Sequence, residues 1–254
     1  MKNVVVCHIV EFIRGVYIVL SKGQFMLYLK WVFRYALKGN WALGTEMAFW
    51  DEESKKDRQK EWMQPMHSDI KPAIEEIKKI FNEKIVVLEL GPGPRSRLTE
   101  GFREQLFDLV AIDPLADTYK KHLGGNEFLV HGYGETVDKL FSPESFHMTY
   151  ASNSLDHSKD PFLCFKNMIS LTKVNGYIMV QGGINEGSRA NWLGLHKHNM
   201  WIEEDALFCC SRYGIPVNLN TGCPIEFVAS RHALIEGYPW FSITYRRVSS
   251  YEQE

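Results

Sequence analysis

Apolar and polar positions follow two different periods along this chain. Ile70, Ile74, Ile77 and Phe81 form one stripe at helical spacing, with Ser68 placed to cap the helix. A continuous apolar run then ends in Glu89-Leu90, so Lys84 to Leu90 reads as a buried strand. The pattern next predicts a helix over about Ser96 to Gln105 and a strand from Leu109 to Asp113. A short helix over Ala116 to His122, a strand at Glu127 to His131 and a short helix over Glu135 to Phe141 follow. Ser145 to Ala151 reads as a fourth strand, and Pro161 to Thr172 as a helix with Phe162, Phe165, Met168 and Ile169 inward. Lys173 to Gly176 is a turn and Tyr177 to Gln181 a fifth strand. A helix near Glu203 to Tyr213 and two β segments, Ile225 to Ala229 and Trp240 to Val248, complete the series. Strand and helix alternate with short connections, which predicts an α/β, doubly wound, mainly parallel sheet.

The first 67 residues pattern differently and are taken as an N-terminal helical extension or cap, with residues 68–254 as the main domain. Val4 to Leu20 is apolar, but His8, Glu11 and Arg14 interrupt it. A membrane span needs about 18 clean apolar residues, and no small-residue cleavage site follows. The expectation is mature, cytoplasmic structure. Lys30, Arg34 and Lys38 recur every four residues, a basic stripe on a helix whose Leu29, Val32, Phe33 and Ala36 are apolar. Two readings stand for it: a solvated face of a cap helix, or peripheral contact with an anionic membrane or a lipid-linked substrate. Thr45 is placed to cap a helix carrying Ala48 and Phe49. The charged run from Asp51 to Lys60 reads as an exposed face. Trp50 and Trp62 wall a pocket or pack in the core.

The stretch with the most chemistry is Glu89-Leu90-Gly91-Pro92-Gly93-Pro94-Arg95-Ser96-Arg97. A buried strand ends in a carboxylate and a Gly-x-Gly turn, and a helix opens behind it. Glycines there let the main chain turn and approach a ligand, and the helix start offers free N–H groups. A second strand ends at Asp113, 24 positions after Glu89, where an acid can bind ribose hydroxyls.

On these residues the sequence resembles the class I S-adenosylmethionine-dependent methyltransferases, over roughly Asp69 to Arg247. Glu-Leu-Gly-Pro-Gly is similar to that family's first motif, Asp113 to its ribose-binding acid, and Gly134-Glu135 to its adenine-side segment. The usual third glycine of the loop is replaced around Pro94-Arg95. The resemblance implies a seven-stranded Rossmann-like sheet with a terminal hairpin, and S-adenosyl-L-methionine as cofactor. It implies cofactor contacts from Glu89, Gly91, Gly93, Asp113, Pro114, Gly134, Glu135, Asn153 and Ser154.

In such a sheet ligands bind beyond the carboxyl ends of the strands. The exit of the fourth strand, Ala151-Ser152-Asn153-Ser154-Leu155-Asp156-His157-Ser158-Lys159-Asp160-Pro161, is crowded with polar groups. It resembles a stretch of class I enzymes acting on small molecules and cell-surface sugars. Methyl transfer needs alignment of nucleophile, carbon and sulfur, and a hydroxyl acceptor benefits from a base, a task His suits near neutral pH. His157 is the first candidate base, Asp156 its partner or a substrate ligand, and His196 a further catalytic candidate. In the structural reading, Asp156 caps the next helix and His157 touches the cofactor or backbone. His196 and His198 form an H-x-H pair that could join His157 around a metal. No acidic ligand pattern flanks it, and no metal is assigned.

Composition narrows the function classes. The 254 residues carry 29 basic and 31 acidic side chains, a net charge of −2. That gives no footprint for a nucleic-acid partner. The five cysteines, Cys7, Cys164, Cys209, Cys210 and Cys223, show no C-x-x-C spacing and suggest a reducing compartment. The reading is methyl transfer, with O-methylation of a small molecule or cell-surface glycan, possibly lipid-linked, as its form. The alternatives are an NAD(P)-dependent oxidoreductase and a non-catalytic partner subunit. Ser96 at the last position of G-x-G-x-x-G speaks against the first, and the intact acids and glycines against the second.

Overall fold

The computed structural model describes residues 25–36, 41–53, 59–124, 128–235 and 237–250. Val4 to Leu20, Cys7, Lys38 and the side chain of Trp62 lie outside the described residues. Among the described residues three helices come first: α1 (Phe25–Ala36), α2 (Trp41–Glu53) and α3 (Gln59–Ile80). The sheet then alternates with helices as β1 (Val86–Leu90), α4 (Thr99–Arg103), β2 (Asp108–Asp113), α5 (Ala116–Leu123) and β3 (Leu129–His131). A 3-10 helix over Gly134–Lys139 leads to β4 (Phe146–Ser152), a 3-10 turn over Leu155–His157, α6 (Pro161–Leu171) and β5 (Thr172–Gly183). The remainder is α7 (Glu186–Arg189), β6 (His198–Glu203), β7 (Ala206–Ser211), β8 (Val217–Asn218), β9 (Ile225–Ile235) and β10 (Tyr238–Arg247).

Seven strands form one sheet in the order β3-β2-β1-β4-β5-β10-β9. The first five are parallel, while β10 runs antiparallel to both β5 and β9. The expected doubly wound sheet and terminal hairpin are therefore present. Strand order reverses between β1 and β4, and this is where such a sheet opens a crevice at its carboxyl end.

Side chains alternate across β1, so Val87 and Leu88 enter different cores. On one face Ile70, Ile74 and Ile77 of α3 pack against Val87, Leu109 and Met179. On the other, Phe165, Met168 and Ile169 of α6 meet Leu88, Leu90 and Val180. A third cluster joins the N-terminal helices to the β2–β3 side of the sheet through Trp31, Tyr35 and Met47 against Ala111, Leu115 and Tyr119. Gly44 lets α2 press on α1, since a Cβ there would lie 2.6 Å from Val32 Cα. Trp31 Nε1 donates to Asp51 Oδ2 at 2.6 Å, and Lys30 Nζ reaches the same oxygen at 3.2 Å. One member of the predicted basic stripe is thus bound between the two helices. Phe33, by contrast, is 63% exposed beside exposed Arg34. Among the described residues, no helix is long and apolar enough to cross a membrane.

Several expectations are corrected. The segment predicted as a helix over Glu203 to Tyr213 forms an antiparallel pair, β6 with β7, that packs beside the main sheet. Leu207 and Cys209 are buried while Ala206, Phe208 and Cys210 are only half-buried, so the apolar pattern there has a period of two. Glu204, at φ +56°, makes the turn. Thr45 and Ser68 are not caps but lie inside α2 and α3. Helix α3 therefore runs through residues 67 and 68 without a break. The segment after Gly134 is a 3-10 helix. Strand β5 starts at Thr172, so the expected turn at Lys173 to Gly176 is absorbed into it with Asn175 at φ +66°.

Candidate functional site

The glycine loop leaves β1 at the switch point. Gly91 and Gly93 have φ of +67° and +69°, a region that non-glycine residues seldom enter. A Cβ on Gly91 would collide with the Ser154 side chain, and one on Gly93 would lie 2.9 Å from Trp50 Cζ2. The loop is thus clasped by the β4 exit on one side and by α2 on the other. Trp50 is fixed by a 2.7 Å hydrogen bond from Nε1 to Glu46 Oε1.

Two buried carboxyls frame the loop. Asp113 accepts from Gly93 N at 3.1 Å and from Leu115 N at 2.8 Å, so it ties the loop to the end of β2. Glu89 accepts from Ser96 Oγ, and Ser96 Oγ in turn accepts from Leu98 N at 2.9 Å. Burial pushes both carboxyls up, each to about 7, against the pull of these hydrogen bonds. Sequence reasoning missed Ser96. Its signal was there: a hydroxyl just behind the loop, seven residues after Glu89, can bond the acid and start the helix. It also missed Arg97, which donates to Ser152 Oγ at 2.5 Å and lies over Trp240, 5.4 Å from the ring centroid.

The other predicted cofactor residues are placed as follows. Ser154 donates to Leu90 O at 2.7 Å and packs on Gly91. Asn153, at φ +50°, accepts from Gly183 N at 3.1 Å and so joins the exits of β4 and β5. Pro114 is half-buried after Asp113. Gly134 faces α6, its carbonyl accepting from Asn167 Nδ2 at 2.9 Å. The Glu135 carboxylate accepts from Lys159 N at 2.7 Å and so organises the entry to α6.

The three catalytic candidates converge although two segments carry them. Asp156 and His157 sit on the 3-10 turn after β4, and His196 on the loop before β6. His196 Nδ1 lies 2.9 Å from Asp156 Oδ2, and His157 Nε2 lies 3.0 Å from His196 Nδ1 and 3.5 Å from Asp156 Oδ2. The backbone fixes this geometry: Asp156 O accepts from Lys197 N at 3.1 Å and meets His198 Nδ1 at 3.2 Å. Burial works to raise the Asp156 carboxyl, but the neighbouring His157 and His196 outweigh it and hold it below the ordinary range. Burial lowers His196, and the Asp156 hydrogen bond and charge reverse that, leaving it raised. Burial dominates for His198, which is lowered. Asp160, not Asp156, caps α6, accepting from Leu163 N at 3.0 Å. His198 turns to the Asp156 carbonyl, so the Asp156 carboxylate and not His198 lies beside His157 and His196.

No protein-family model matches the chain, and no curated protein matches it in sequence. Solved structures do match in fold. One is the Burkholderia thailandensis 1,6-didemethyltoxoflavin-N1-methyltransferase with bound 1,6-didemethyltoxoflavin and S-adenosylhomocysteine. It is 13% identical with a TM-score of 0.50, over 85% of this chain and 90% of that one. Another is a chain of the complex between the Haloferax volcanii Trm112 methyltransferase activator and a methyltransferase. It is 9% identical with a TM-score of 0.51, over 80% of this chain and 96% of that one.

Proposed function

We propose that this chain, which has the fold of the class I S-adenosylmethionine-dependent methyltransferases, is a methyltransferase that binds S-adenosyl-L-methionine and modifies a hydroxyl of a small molecule or glycan. One observation carries the reading: a loop with two positive-φ glycines lies between two buried carboxyls at the switch point of the sheet. The cofactor's chemistry fits this cradle. It has a cationic amine for Glu89, ribose hydroxyls for Asp113, and a flat surface for the glycine backbone. When bound, it supplies a methyl group on a cationic sulfur.

The chain's own residues account for the rest. Gly91 and Gly93 keep side chains out of the cradle. Trp50 covers it and excludes water. His157 takes the proton of the acceptor hydroxyl, with Asp156 and His196 orienting its ring and stabilising the charge that forms. Such a base is needed for a hydroxyl, which favours that acceptor class. Exposed Phe33 beside Arg34 supports contact between α1 and a lipid-linked acceptor or an anionic membrane surface. The free thiols Cys164, Cys209, Cys210 and Cys223 fit a cytoplasmic setting.

The test is calorimetric titration with S-adenosylhomocysteine. Micromolar binding is expected, weakened at least tenfold by Asp113→Ala. His157→Ala should leave affinity within threefold while lowering turnover of hydroxyl acceptors about 100-fold or more. Absence of binding to the wild-type protein would sink the reading, and equal loss of affinity in both variants would remove the role given to His157.

A further inference from the structure

We propose that Asp156, His157 and His196 form a binding site for a divalent transition-metal cation. The argument is the closeness of three atoms. Asp156 Oδ2, His157 Nε2 and His196 Nδ1 make a triangle with sides of 2.9, 3.0 and 3.5 Å. One cation can touch all three atoms at once: nitrogen and oxygen ligands about 2.0–2.2 Å from a common ion lie roughly 3–3.5 Å from one another, which is the spacing found here.

Burial and support agree. The Asp156 side chain is only 7% exposed and forms the floor, while His157 and His196 are 17% and 26% exposed and leave an entry path. The two ligand segments are clamped by the Lys197 N–H and the His198 ring on Asp156 O, contacts that hold first ligands in place. His157 N also donates to Ser154 O at 3.1 Å. Two imidazoles with one carboxylate suit Zn²⁺, Mn²⁺, Fe²⁺ or Co²⁺ rather than Mg²⁺ or Ca²⁺. Three protein ligands leave one position open in a four-coordinate site and two in a five-coordinate one, for water or substrate.

The role of the site rests on the methyl-transfer reading, although its existence does not. Ser154, two residues before Asp156, packs on Gly91, so a cation here sits beside the cofactor cradle. An acceptor hydroxyl in the open position becomes more acidic and releases its proton to water, its oxygen held toward the cradle. In the metal-bound protein the two histidines serve as ligands and the cation activates the hydroxyl, whereas proton transfer to His157 belongs to the metal-free protein. An acceptor with two adjacent hydroxyls, as sugars have, fills two open positions together.

The experiment uses tag-free protein stripped with chelator and titrated with Zn²⁺ by calorimetry and with Co²⁺ by absorption spectroscopy. One equivalent is expected in the wild type and in His232→Ala, a change at an exposed histidine on β9. His157→Ala and His196→Ala should each lose stoichiometric binding while keeping S-adenosylhomocysteine affinity within threefold. The Co²⁺ spectrum of the wild type, with ligand-field bands of a four- or five-coordinate nitrogen–oxygen site, needs no variant to fold. No stoichiometric cation in the wild type, or binding that survives both histidine variants, overturns the proposal. A bound cation without S-adenosylhomocysteine binding would keep the site and reject the methyl-transfer reading. The reverse would keep methyl transfer and reject the site.

Discussion

Replacing Gly91 by Ala tests whether the glycine loop and the β4 exit are one packed unit. At φ +67° an alanine costs roughly 1–2 kcal/mol in backbone strain. Its Cβ would fall on Ser154 Cβ, over about 1 Å inside ordinary contact, which adds an overpacking cost of about 1–3 kcal/mol. The smaller unfolded-state entropy of alanine returns about 0.4–1 kcal/mol. Gly91→Ala alone should therefore destabilise by about 1–5 kcal/mol. Ser154→Gly loses the hydrogen bond to Leu90 O, about 1 kcal/mol, and adds a glycine's flexibility, about 0.5–1 kcal/mol. In the double variant the collision is gone but the φ strain remains. Its destabilisation should fall short of the sum of the two singles by about 1–3 kcal/mol. Equilibrium urea unfolding of all four proteins, with unchanged m-values, measures this. Additivity within about 0.5 kcal/mol would refute the packing argument.

The pH dependence of stability follows from the carboxyls of the cradle. Glu89 and Asp113 have ordinary values of 4.5 and 3.8 and are raised to about 7 when folded. Between these limits the native state keeps protons that the unfolded chain gives up, so stability should fall as pH rises from about 4 to 7. For Glu89 alone the fall is on the order of 3 kcal/mol, and Glu89→Gln should flatten the slope in urea unfolding series at pH 5 and pH 8. An unchanged slope would contradict the assigned burial effect. Trp50→Phe should abolish most of the tryptophan fluorescence change on adding S-adenosylhomocysteine, since the Trp50 ring lies against Gly93; a full signal in the variant would place the ligand elsewhere. Arg247, 1% exposed, donates to Ser170 O and Thr172 O and reaches Glu144. Arg247→Leu removes these bonds, although Ser170 O keeps the Glu144 N–H at 3.0 Å, and should cost about 2–3 kcal/mol in the same unfolding assay, with a result under about 1 kcal/mol counting against it.

The glycine loop and its two acids were legible because they are local. A buried strand, a carboxylate and a turn follow one another in the chain, and the next strand repeats the arrangement at Asp113. The parallel strands and α6 were legible for the same reason, since one period holds through each. Residues 203–213 were misread because Leu207, Cys209 and the residues around them fit both a helical and an alternating pattern over so short a span. Residue identity gave poor guidance at Thr45 and Ser68, since hydroxyl residues favour caps but are also accommodated inside helices such as α2 and α3. Two features had no local signal at all. Trp50 lies 43 residues before Gly93, and Asp156 lies 40 before His196, so their meeting depends on how α2 and the β5–β6 connection cross the sheet. The residue types of Asp156, His157 and His196 mark them as candidates in the sequence, but the distances among them are set by that crossing.

The position of β10 has a consequence for how the chain is made. This strand lies between β5 and β9, yet it is synthesised after both. When Gly183 has left the ribosome, β5 is complete, but its open edge gains its neighbour only once Tyr238 to Arg247 have emerged. At roughly 5–20 residues per second, that leaves an unpaired edge for several seconds. Its residues 177–183 are all buried in the finished sheet and include Ile178, Met179 and Val180. A nascent chain stalled in this interval presents an apolar, hydrogen-bond-hungry ribbon, the form of surface to which chaperones and other nascent chains attach. The yield of active protein in a cell should therefore depend on translation speed across residues 184–247 more than on speed anywhere before them, and slow codons there should lower it.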